Sequence, residues 1–110
     1  MKFILYIIFL FTSSTIFSHE YKYSLAICAI FKDDTKYLPE WIEFHENQGV
    51  KHFYLYENLS PDDFENILHT YVKDGLVEII PWHKEADSCA SWNQIQCSAY
   101  MDCVNKNKKS

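Results

Sequence analysis

Glu57 and Asn58, with Ser60 one residue further on, form a cluster able to recognise a ligand. The run His52-Phe53-Tyr54-Leu55-Tyr56 precedes them and an amphipathic stretch follows, so they fall at a strand-to-helix elbow. A carboxylate there can accept from a uracil N–H or a ribose hydroxyl, while an Asn amide both donates and accepts. The same residues also suit an ordinary polar loop. A second cluster, Lys32-Asp33-Asp34, ends the apolar run before it. Lys32 or Asp33 lines a base pocket on one reading, and the three charges solvate a turn on the other. Gln96 lies in a helical stretch, placed either to reach a ligand or to face solvent. His45 and His52 read as packing or surface residues, and spacing alone supports no Ser-His-Asp or Cys-His pairing.

These clusters need a scaffold, and the apolar periodicity describes one. Tyr23 to Phe31 suits a strand buried on both faces. Lys36 to Gln48 places Leu38, Trp41, Ile42 and the His45 ring on one helical face, with Pro39 in the first turn. Trp41 there is a large apolar anchor for a sheet. Gly49 supplies the left-handed residue that ends the helix. His52 to Tyr56 is a second strand. Ser60 reads as the cap of the next helix, Pro61 as its first residue, and Asp62 and Asp63 as charges on its positive end. Phe64, Ile67, Leu68, Tyr71 and Val72 make its sheet-facing stripe, and Gly75 terminates it. Leu76 to Ile80 is a third strand stopped by Pro81, and Trp92, Ile95, Ala99, Tyr100, Cys103 and Val104 form a last stripe. The alternation predicts an α/β, Rossmann-like parallel βαβαβα unit. Ligands bind such sheets outside the strands' carboxyl ends. Those ends are Lys32-Asp33-Asp34, Glu57-Asn58-x-Ser60 and Trp82-His83-Lys84.

With 110 residues there is room for one small domain, and 48% apolar content suits a packed core. Net charge is −5, and every basic residue is Lys, so the planar fork that grips phosphate is missing. No basic face appears, which argues against a nucleic-acid partner. A G-x-G-x-x-G loop and a P-loop are both absent, leaving a dinucleotide-oxidoreductase reading remote. Lys2, the apolar run Phe3 to Phe11 and the Thr/Ser patch up to Ser18 have the order of a secretory signal. Residues 1–18 are therefore expected to be a cleaved signal peptide or an uncleaved membrane anchor, outside the fold. Cys28, Cys89, Cys97 and Cys103 leave several disulfide pairings open in an oxidising lumen. Cys28 reads as a buried small hydrophobe, Cys97 and Cys103 face different sides of one helix, and C-x-x-C spacing is lacking.

Glu40-Trp41-Ile42-Glu43-Phe44-His45, Gly49-Val50 and His52-Phe53-Tyr54-Leu55-Tyr56-Glu57-Asn58-x-Ser60 resemble the opening of the glycosyltransferase family 92-like group. That group is similar to the broader family 2 and shares its GT-A fold. The resemblance runs from about Ser24 to Lys109. It implies that residues 19–110 are the N-terminal, nucleotide-binding half of a truncated GT-A domain in the secretory pathway or cell envelope. It also implies a nucleotide-sugar donor, a glycan or related acceptor, and Mn²⁺ or Mg²⁺ in the full-length enzyme. Relatives carry an acidic residue and Asn facing the nucleotide where Glu57 and Asn58 stand, Glu57 being one methylene longer than the commoner Asp. At the first strand end relatives show Asn-Glu, which Asp33-Asp34 matches in part. Gln96-x-x-Ala99-Tyr100-x-x-Cys103 is similar to the helix before the metal strand. The donor-binding residues so implied are Lys32, Asp33, Glu57, Asn58, Ser60 and Gln96. The group's aspartate-rich metal motif would fall beyond Ser110, so the chain is expected to bind no metal and to lack transfer activity alone. The alternative is a non-catalytic secreted α/β binding module that uses the same strand ends.

Overall fold

The computed structural model describes the backbone of residues 5–10 and the whole of residues 23–61 and 63–107. Its elements are β1 (Leu5–Leu10), β2 (Leu25–Phe31), a 3₁₀ turn (Thr35–Tyr37), α1 (Leu38–Asn47), β3 (His52–Glu57), α2 (Phe64–Lys73), β4 (Val77–Pro81) and α3 (Cys89–Asn107). They form one sheet in the order β1-β2-β3-β4. The strands β2, β3 and β4 pair in parallel, as the alternation requires, and β1 pairs with β2 antiparallel. Phe31 stands beside Glu57 and Glu57 beside Pro81, so the three parallel strands end level. That level end positions the polar residues that follow.

Each face of the sheet carries its own core. On one, Ile27, Ala29, Phe31, Phe53, Leu55 and Val77 meet Leu38 and Ile42 of α1 and Leu68 of α2. Both crossovers thus lie on one face, as successive connections of one hand demand. Trp41 packs there against Phe53 with ring centroids 5.5 Å apart, the anchor its spacing suggests. On the other face Ala26, Cys28, Ile30, Tyr54 and Tyr56 meet Ile95, Ala99, Tyr100 and Cys103 of α3. Gly49 and Gly75 both take positive φ at the helix exits. His52 is buried and stacks on Tyr23 at 4.3 Å, a packing role.

Four expectations change. Leu5–Leu10, read as lying outside the fold, forms β1 and covers the edge of β2, whose backbone groups would otherwise stand unpaired. Cys28 is buried but is no lone hydrophobe: it is bonded to Cys103, Cα atoms 6.6 Å apart, joining β2 to α3. Cys89 and Cys97 are free and exposed. Ser60 does not cap α2; the cap position is Asp63, and the helix starts at Phe64. Asp62 lies outside the described residues. Val72, placed in the sheet-facing stripe, is 43% exposed because it lies three residues from His69 and seven from Glu65, on the solvent face of α2.

The tyrosines between β3 and α3 make the fold sensitive to alkaline pH. Burial, and then the charges of Tyr23 and Glu78, push the Tyr54 phenol up to about 12. Burial and the neighbouring Cys97 do the same for Tyr100. Tyr56 is raised further by burial and by the hydrogen bond it donates to Asp102 at 2.7 Å. The fold therefore favours the neutral phenols. Their contribution is complete below pH 10 and is lost as pH rises towards 12. Urea unfolding followed at increasing pH should show stability steady to about pH 10, then falling as the phenolate absorbance of these residues appears. Stability unchanged through that titration would contradict this packing.

Candidate functional site

The parallel strands leave their last polar groups at one level, and the chain ties these together. Glu57 is only 4% exposed. Its Oε2 accepts the Ser60 N–H at 2.6 Å, and its Oε1 accepts Nε2–H of His83 at 2.5 Å. Asn58, 1% exposed, donates through Nδ2 to the carbonyls of Trp82 and Lys84, both at 2.8 Å. Its backbone N–H donates to the Phe31 carbonyl. Ser60 Oγ accepts the Asp33 N–H at 3.1 Å. Glu57, Asn58 and Ser60 at the exit of β3 therefore hold both neighbouring strand exits.

The local geometry explains why Ser60 is diverted from capping. Leu59 takes a left-handed φ of 49°, which turns the Ser60 N–H back onto Glu57 and its hydroxyl towards Asp33. Asp33 is itself left-handed at φ 61°, the conformation that brings its N–H to that hydroxyl. Asp and Asn tolerate this region better than most residues, since a short polar side chain bonds locally.

Of the residues singled out by sequence, Asp33, Glu57, Asn58 and Ser60 form one connected network. Lys32 is exposed beside it and takes no part in its hydrogen bonds. Gln96 lies apart on α3, buried to 5% exposure, and its Nε2 has no hydrogen-bond partner among the described residues. A buried amide left so costs about 1–3 kcal/mol. Sequence reasoning missed His83, noted only as part of a strand end. No local pattern marks it, because its role follows from the register that sets Pro81 opposite Glu57. The same exit is tied to α3: Trp82 donates from Nε1 to Ser98 Oγ at 3.3 Å, and Lys84 Nζ lies 4.5 Å above the Trp82 ring.

This arrangement can hold three loops rigid and present Lys32, Asp33 and His83 at the rim of the sheet. It does not build a cation site: among the described residues no group of three or more His, Cys, Asp or Glu is placed to hold a metal ion. Likewise, no helix among them is long and apolar enough to cross a membrane.

The Asn58 amide is the most exacting contact. Asn58→Ala removes the donor to the Lys84 carbonyl and leaves the Trp82 carbonyl with the Lys84 N–H alone, and should cost about 1–3 kcal/mol in urea unfolding. Asn58→Asp, though nearly isosteric, should be worse, because carboxylate oxygens would face the Trp82 and Lys84 carbonyls. An Asp variant as stable as the parent would contradict the assignment.

Comparison with known proteins meets this geometry from another side. The family model of glycosyltransferase family 92 matches residues 21–110. A glycosyltransferase family 92 protein of Oryza sativa subsp. japonica is 33% identical over 48 residues, covering 44% of this chain and 8% of that protein. One from Ricinus communis is 26% identical over 73 residues, covering 63% of this chain and 13% of its own length. The chain thus spans about a tenth of the curated relatives it matches. No solved structure matches it. The matched segment takes in all three parallel strands and every residue of the strand-end network, and the chain belongs to glycosyltransferase family 92.

Proposed function

We propose that this chain forms the nucleotide-facing part of a glycosyltransferase that moves a sugar from a nucleotide-sugar donor to a glycan or related acceptor. The observation that carries the reading is the joining of Asp33, Glu57, Asn58 and Ser60 at the level carboxyl ends of β2 and β3, where parallel sheets receive ligands. Glu57, Asn58 and Ser60 act as the frame. Lys32 brings a cation towards the donor's phosphates, and Asp33 lies beside it to accept from base or ribose. Gln96 offers an unused amide N–H, which an oxygen of the donor would satisfy. The Mn²⁺ or Mg²⁺ that the family resemblance implies finds no ligand set among the described residues, so no step is assigned to it here.

The Cys28–Cys103 bond supports folding in an oxidising compartment, in keeping with export to the secretory pathway or cell envelope. A second reading, a non-catalytic secreted binding module, draws on the fact that both oxygens of Glu57 and the amide of Asn58 are already satisfied within the chain.

Gln96 separates the two. Gln96→Met keeps the side chain's shape and removes the unpaired donor, so it should raise stability in urea unfolding by about 1 kcal/mol. On the proposed reading it should also weaken binding of a nucleoside diphosphate, measured by calorimetry across uridine, guanosine and adenosine forms. If none of these binds the parent chain, or if Gln96→Met destabilises the fold and leaves binding unchanged, the reading fails and the binding module stands in its place.

A further inference from the structure

A cavity of about 490 Å³ opens between α2 and β4, next to the Glu57–His83 pair. Its apolar walls are Phe64, Val72, Ile79 and Pro81, and its polar groups are Glu57, Glu65, His69 and His83. The size and the balance of apolar wall to a few polar groups match those of small-molecule sites. Three features define what fits. First, no Lys lines it, and the chain has no Arg, so a phosphate or carboxylate would meet acidic groups without a cation. Second, the His83 ring is fixed: Nε2 is bonded to buried Glu57 while the side chain is 54% exposed, which leaves Nδ1 as a polar group for a ligand hydroxyl. Third, Glu65, His69 and Val72 share one face of α2, being four and three residues apart, so acceptor, imidazole and apolar surface stand side by side.

We propose that this cavity binds a neutral sugar ring. The C–H face of the ring packs on Phe64, Val72, Ile79 and Pro81, and its hydroxyls bond to His83 Nδ1, Glu65 and His69. The class of ligand rests on the glycosyltransferase reading; the site itself lies on the α2 side of edge strand β4, where that reading places no residue of its own except Glu57. A hydroxyl donates to an imidazole nitrogen or a carboxylate without needing a counter-charge, and the exposed Val72 supplies part of the apolar wall.

The test is NMR of the isotope-labelled chain titrated with methyl β-glucoside, methyl β-galactoside and lactose, and separately with uridine diphosphate. The glycosides should shift the Val72 methyl signals and the His69 and His83 ring signals, while uridine diphosphate leaves Val72 unmoved. Val72→Lys and His69→Ala, both on the exposed face of α2, should keep the urea melt of the parent. Val72→Lys should weaken glycoside binding by about tenfold or more, equivalent to about 1.4 kcal/mol. The proposal is overturned if no glycoside shifts these signals at about 50 mM, which is weaker than any specific site of this size, if uridine diphosphate shifts them instead, or if Val72→Lys binds as the parent does. Absence of glycoside shifts with nucleotide shifts confined to Lys32 and Asp33 would remove this site and leave the proposed function intact. Glycoside shifts with no nucleotide binding would uphold the site and contradict that function.

Discussion

All six residues of β3 are buried, and that constraint shapes the rest of the molecule. A strand enclosed on both faces needs helices on both, and it needs neighbours on both edges to pair its backbone. It also delivers Glu57 and Asn58 into an enclosed position, where an unpaired carboxylate or amide is costly. The chain resolves this by spending both residues on the adjacent loops. Glu57 takes Ser60 and His83, and Asn58 takes the carbonyls of Trp82 and Lys84. The burial that stabilises the central strand thereby fixes the geometry of the strand ends.

The second face depends on α3, which reaches the sheet through unlike contacts. Its buried residues are few: Ile95, Gln96, Ala99, Tyr100 and Cys103. The Cys28–Cys103 bond closes a separation of 75 residues, and in chain-entropy terms such a loop is worth about 4 kcal/mol. Tyr56 adds its hydrogen bond to Asp102, which also pairs with Lys106 at 3.2 Å. Higher up, Trp82 sits edge-on to Tyr56 at 5.3 Å and bonds Ser98. Helix, central strand and the β4 exit are thus linked on the same side as Gln96, which gives its unsatisfied amide a fixed place.

The helices were legible from apolar stripes at spacings of three and four, and the parallel strands from short apolar runs stopped by Gly, Pro or charged residues. Leu38, Trp41 and Ile42 recur as a helix face; Gly49 and Gly75 mark ends that require positive φ. What escaped notice depends on contacts distant in sequence. Ser60 has the residue type and position of a cap, yet its hydroxyl goes to Asp33, 27 residues away, which no local pattern reveals. Cys28 looks like one more apolar residue until Cys103 arrives beneath it. The role of His83 follows from the register of β3 against β4, which places Pro81 opposite Glu57. The edge role of Leu5–Leu10 has a similar cause: its composition fits an export signal as well as a strand, and its pairing with β2 is a contact distant in sequence. The donor-facing role proposed for the strand ends rests on family resemblance, whereas composition alone offered a polar loop of equal merit.

The central proposal is that the level carboxyl ends of β2 and β3 receive a nucleotide, with the Glu57–Asn58–Ser60 frame holding Lys32 and Asp33 in place. A crystal structure of the chain grown with a nucleoside diphosphate tests this most directly. The account requires density for base and ribose against Lys32 and Asp33, with the Asn58 contacts unchanged. A ligand bound elsewhere on the chain, or strand ends left empty at saturating nucleotide, would contradict it.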